Sequence, residues 1–131
     1  MTRISSTLKL QATRTELSRS RRAVLSYLVK LNKAIEARHH DLAQTLCGRF
    51  SETLIDYISY GHFRLFQEFS AEAHHAAALE NITSLALTFD EKHRRPEQVS
   101  LAALKADLEQ IALALEVRFE IEDEVVCLPV T

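Results

Sequence analysis

Two glycines and two prolines in 131 residues leave this chain very little with which to interrupt a helix. In ordinary globular usage these two residue types together make up roughly 12% of positions, and they supply most tight turns and strand bulges. Their scarcity therefore predicts long helices joined by short connections, and no stretch reads convincingly as a strand. Hydrophobic residues at 47% and charged residues at 26% are unremarkable, so a packed core is expected. A chain this long buries roughly two thirds of its unfolded surface, which suits one domain spanning residues 1–131.

Apolar spacing places the helices. Leu17, Val24, Leu25, Leu28, Leu31 and Ile35 recur at helical intervals, giving a first helix from about Thr7 to Arg38 with polar, fraying opening turns. His39-His40-Asp41 is the first break, with Asp41 the expected cap of the next helix. The second helix is expected from about Leu42 to Ala71, and a boundary falls near Ser70 to His75. A third carries Leu79, Ile82, Leu85, Leu87 and Phe89 and stops at Arg94-Arg95-Pro96, because the residue before proline is pushed out of helical geometry. The fourth repeats Leu101, Leu104, Leu108, Ile111 and Leu115 at alternating steps of three and four, up to Pro129. The fold class expected is all-α, an antiparallel four-helix bundle of up-down-up-down order.

Charge is distributed unevenly. Residues 1–40 hold nine Lys or Arg and two acids, whereas residues 97–131 hold two basic residues and eight acids. First and last helices are often neighbours in such bundles, so mutual complementarity and solvation account for much of this, and a basic partner for the acidic end is the functional alternative. A pI of about 6.3, the absence of Trp and the lack of a basic run interleaved with aromatics argue against direct nucleic-acid binding. No apolar run approaches the ~20 residues needed to span a bilayer. Ser20-Arg21-Arg22 resembles a twin-arginine signal, but Lys30 and Lys33 interrupt the apolar segment that follows. Cys47 and Cys127 have neither metal nor redox spacing, so a reduced, cytoplasmic protein is expected, with both thiols in packing roles.

The stretch LIDYISYGHFRLFQEF, residues 54–69, departs from a plain amphipathic helix. With residues ~100° apart, Phe50, Leu54, Tyr57, Ile58, Gly61, His62, Leu65, Phe66 and Phe69 share one broad arc. Gly61 thus lies on the packed face, where it costs ~1 kcal/mol against Ala unless a neighbour approaches closely. Phe63 lies on the opposite, polar side with Asp56, Ser59 and Tyr60, where an aromatic beside an acid has the character of an interaction hot spot.

In the fourth helix the leucine seam continues through Arg118 and Glu122. A carboxylate in such a seam needs a partner, and Arg118 and His62 are the candidates for a buried polar cluster that sets helix register. Two Glu-x-x-His pairs, Glu36 with His39 and Glu72 with His75, have the spacing of iron ligands in ferritin-like bundles. Both pairs lie near C-terminal ends of antiparallel helices, hence at opposite ends of the bundle, so no metal and no cofactor is expected.

LIDYISYGHFRLFQEF and the later LEVRFEIEDEVV resemble the two signature stretches of the Rsd/AlgQ family, bacterial regulators that bind the primary sigma factor of RNA polymerase. The resemblance is dense over about thirty residues, with fainter echoes in SAEA and LALTF. It departs from the family pattern in shorter connections between the first three helices and in ending soon after the second stretch. The resemblance implies an anti-sigma protein without catalysis, which holds the sigma domain that reads the upstream promoter element and competes with core polymerase and promoter DNA. It further implies that Asp56, Ser59 and Phe63 contact sigma, with Tyr60 on the same side grouped with them. The same stretches look more faintly like those of hemerythrin-type di-iron bundles, which makes a metal-binding sensor the alternative. A divergent paralogue with another partner is the other, since fold does not fix function.

Overall fold

In the computed structural model, the backbone is described for residues 2–62, 73–95 and 100–127, and the side chains for residues 11–62, 75–95 and 100–126. Four helices account for almost all of it: α1 (Thr2–Glu36), α2 (His40–Tyr60), α3 (Ala73–His93) and α4 (Leu101–Cys127). Among the described residues there is no strand. The first helix begins at Thr2 rather than near Thr7, and α2 is described only as far as a wider, π-type turn at Gly61 and His62, so its expected continuation to Ala71 lies outside the described residues.

The α1–α2 corner is made without glycine. Arg38 takes the left-handed conformation at φ 56, while the Arg38 N–H bonds to the Ile35 carbonyl and the His39 N–H to that of Ala34. This is the hydrogen-bond pattern with which glycine usually closes a helix, here carried by an arginine. The cap of α2 is also a correction: His39, not Asp41, precedes the helix, and its Nδ1 accepts from the Leu42 N–H at 3.3 Å. Asp41 sits in the first turn, where its charge suits the helix dipole. At α4, the Ser100 hydroxyl accepts from the Ala103 N–H at 3.1 Å, an ordinary N-cap.

α1 packs against α2 and α4, and α3 packs against the same two helices. The core between them is mostly apolar, with Val24 and Leu31 of α1, Phe50 and Leu54 of α2, Phe89 of α3 and Leu108, Ile111 and Leu115 of α4 all buried. Phe50 and Phe89 meet edge to face at 5.6 Å, the geometry the ring quadrupoles prefer. Arg14 donates to the Val126 carbonyl and Arg21 to the Phe119 carbonyl, so each step forward along α1 is matched by a step backward along α4.

Polar clasps tie α3 to its neighbours. Ser51 Oγ donates to Asp90 Oδ1 at 2.6 Å, and the buried His93 places Nε2 2.7 Å from Asp107 Oδ2, with Lys92 Nζ 2.9 Å from the same oxygen. The Ser51 hydrogen bond and Arg94 hold the Asp90 carboxyl below the usual aspartate value. For Asp107 burial acts upward, but Lys92 and His93 outweigh it and its pKa is also lowered. A depressed folded-state pKa stabilises above the unfolded value of about 3.9 and loses that contribution as pH falls through the folded value. Asp107→Asn should therefore lower the melting temperature at neutral pH. The gap from wild type should close as pH is taken below about 4, which melting curves across pH would show.

Candidate functional site

The C-terminal end of α2 carries two faces of different character. Its inward face meets a polar cluster embedded in a mostly apolar core, while its outward face presents Asp56 and Ser59 to solvent with Tyr60 half-buried beside them. Phe63, read from the sequence as the aromatic of this patch, lies outside the described residues.

The inward cluster centres on Glu122, which is 0% exposed beside Arg118 at 1%. Tyr57 donates its hydroxyl to Glu122 Oε2 at 2.5 Å, and Arg118 Nε donates to the same oxygen at 3.2 Å. Arg21 of α1 reaches the other oxygen, with Nε at 3.0 Å and Nη2 at 2.9 Å. Every one of these neighbours is a donor, the arrangement an ionised, acceptor-only carboxylate requires. Arg21 also donates to the Phe119 carbonyl at 3.1 Å and pairs with Asp123 at 2.9 Å, its guanidinium 4.7 Å from the centre of the Phe119 ring.

Arg118 has a second task. Its Nη2 donates to the Ile58 carbonyl at 3.1 Å, the same carbonyl that receives the Gly61 N–H. A helix end leaves carbonyls without intrahelical donors, and a buried cation there supplies both a hydrogen bond and charge of the favourable sign. Gly61 leaves the space for it: a Cβ at this position would lie 2.5 Å from Arg118 Nη2 and 3.6 Å from Glu122 Oε2. The close approach expected at Gly61 is thus made by a guanidinium rather than by the backbone of a neighbouring helix.

Electrostatics follow the geometry. Burial pushes the Glu122 carboxyl above the ordinary glutamate value, opposed by the Tyr57 hydrogen bond and the two guanidiniums. Burial and the adjacent carboxylate push the Tyr57 hydroxyl far up as well. Burial acts downward on Arg21, but Glu122 and Asp123 outweigh it and its pKa is raised. With three side chains already donating to Glu122, the cluster is built to hold three helices together.

Of the residues read as this cluster, Arg118 and Glu122 come together in the core, while His62 is exposed just past Gly61. Tyr57 and Arg21 were not anticipated as members. A hydroxyl on the packed face near Gly61 was a signal for Tyr57, since a buried phenol needs a partner. Arg21 gave no such signal among the arginines of its helix.

The other sequence candidates fall elsewhere. His75 Nε2 lies 2.7 Å from Glu124 Oε2, while its expected companion Glu72 is outside the described residues. Glu36 and His39 flank the α1–α2 corner. Among the described residues no three His, Cys, Asp or Glu side chains gather as a group that could hold a metal ion. Cys47 is buried, and burial followed by the nearby Asp90 pushes its thiol up to about 11, so it is packing rather than nucleophile at neutral pH. The side chain of Cys127 lies outside the described residues.

The sequence profile of the family described as regulator of RNA polymerase sigma(70) subunit, Rsd/AlgQ, matches residues 11–128, most of the chain. The chain belongs to the Rsd/AlgQ family. No curated protein and no solved structure gives a significant match. The two Rsd/AlgQ-like stretches are distant in sequence yet meet in the core: Tyr57 and Gly61 come from the first, Arg118 and Glu122 from the second. Four residues of these two stretches thus fix the end of α2 against α4.

Proposed function

We propose that this Rsd/AlgQ protein is a cytoplasmic, single-domain bundle of up-down-up-down order that binds the primary sigma factor. On this reading it competes with core polymerase and promoter DNA for sigma, without cofactor or catalysis. The α1–α4 register and the short α1–α2 corner favour the antiparallel order. One observation supports the function most: the buried Tyr57–Glu122–Arg118 cluster fixes the end of the helix whose opposite face displays Asp56 and Ser59. A rigid helix end presents an exposed acid and hydroxyl in one orientation, which lowers the ordering cost of docking. The sigma domain that reads DNA is basic, as DNA-binding surfaces are, so an acid at the contact provides steering and register. Tyr60, half-buried beside them, adds contact area, and Phe63 joins it on the strength of the sequence pattern.

The test is binding kinetics with purified sigma at low and moderate ionic strength. Asp56→Asn, which keeps size and removes charge, should slow association by a margin that shrinks as salt rises. Asp56→Lys should do so more severely, since it sets like charges against each other. Equal rates for wild type and Asp56→Lys would remove this face from the sigma contact.

A further inference from the structure

α1 and α4 lie side by side, and each has an outward face that the bundle leaves unused. On α1 the stripe is Arg22, Leu25, Val29 and Lys33, all exposed, with Leu25 at 41% and Val29 at 51%. On α4 it is Glu109, Leu113, Glu116 and Glu120, again all exposed, with Leu113 at 58%. Each stripe follows steps of three and four, so its four side chains line one helical face. One is apolar between cations and the other apolar among carboxylates.

The register between the helices makes these stripes counterparts. Arg14 is level with Val126, and Arg21 with Phe119 to Glu122. Carried onward, the same register sets Arg22 level with Glu120, Leu25 with Glu116, Val29 with Leu113 and Lys33 with Glu109. Within the chain these side chains face outward, not toward one another. Among the described residues none of Arg22, Lys33, Glu109, Glu116 and Glu120 forms an ion pair, in contrast to Arg21 with Glu122 and Asp123.

We propose that the joint outer face of α1 and α4 is a self-complementary surface on which a second copy of this chain docks, about a two-fold axis running along the helices. Such an axis keeps every residue at its level and exchanges the two helices, so α1 of one copy lies over α4 of the other. Lys33 then meets Glu109, Arg22 meets Glu120, and the Val29–Leu113 pair closes the centre, with each contact made twice, as an isologous interface requires. Apolar centre and charged rim are the ordinary anatomy of a protein interface. A patch of this kind on one helix would fit many basic or acidic partners, but the matched stripe at the matched level on its neighbour singles out a second copy. The surface excludes α2, so the proposal stands independently of the sigma-binding reading.

Sedimentation equilibrium of the full chain at low salt tests it. Wild type should approach dimer mass as concentration rises, and moderate salt should weaken the association because the rim pairs are exposed. Lys33→Glu and Glu109→Lys should each raise the dimer dissociation constant at least tenfold, and the double variant should recover most of that loss. All the substituted positions are solvent-exposed, and circular dichroism of each variant checks its folding. A wild-type chain that stays monomeric at low salt overturns the proposal, even if Leu113→Arg weakens sigma binding, an outcome that would assign the face to sigma instead. A dimer indifferent to both single charge reversals, or one that the double variant fails to restore, also overturns it.

Discussion

Glu122→Ala should cost about 3–5 kcal/mol, the range found when one partner of a buried ion pair is removed. The cost arises less from the bonds lost than from what stays behind. Arg118, 1% exposed, would keep its charge with the Ile58 carbonyl but without the carboxylate, and the Tyr57 hydroxyl would lose its acceptor. Arg21 would suffer less, since Asp123 remains within reach. Against a typical total stability of about 5–15 kcal/mol, such a loss brings the folded state close to its limit. Urea unfolding would show a lowered midpoint at unchanged slope. The Arg118→Met, Glu122→Leu double variant should be far less damaging than the two single changes added together, because it removes both charges rather than stranding one. A Glu122→Ala loss below about 1 kcal/mol would mean the cluster contributes no more than an exposed pair.

How far the sequence reveals this architecture varies by element. Helix content was legible because it follows from local facts, namely scarce chain breakers and apolar residues at steps of three and four. The end of α3 at His93 was legible for the same reason, since Pro96 acts on the residues just before it. The α1–α2 corner was less so: an arginine in the left-handed conformation and a histidine as cap are both permitted but uncommon, and tertiary packing overrides those preferences. Arg118 and Glu122 drew notice because charge interrupts an apolar seam. Their partners depended on which helices became neighbours. Arg21 is distinguished from Arg22 only by its orientation toward α4, a difference of one residue on a helix face. The clasp of His93 with Asp107 left no trace in the sequence reading, because nothing local links a histidine on one helix with an aspartate on the next. The Rsd/AlgQ resemblance pointed to the outward residues Asp56, Ser59 and Phe63 rather than to the cluster beneath α2.

Gly61→Leu is expected to cost about 3 kcal/mol, at the upper end of the usual overpacking range. The backbone gives no reason for the loss: Gly61 has φ −58 and ψ −44, ordinary right-handed values that leucine adopts freely, and a better helix former would ordinarily gain from replacing glycine. The opposition is entirely spatial. The first carbon of the new side chain would fall 2.5 Å from Arg118 Nη2, so the guanidinium must move. Flexible arginine ends usually yield cheaply at a surface, but here movement breaks the bond to the Ile58 carbonyl and disturbs the one to Glu122 Oε2, both in the buried interior. Gly61→Ala should show the same effect at smaller size, and its sign is informative, since propensity alone favours alanine by ~1 kcal/mol. Thermal denaturation of both variants in the wild-type and Arg118→Met backgrounds separates the causes. With the guanidinium gone, the penalty at Gly61 should shrink or reverse, whereas an equal penalty in both backgrounds would mean that backbone packing, not Arg118, is what requires glycine there.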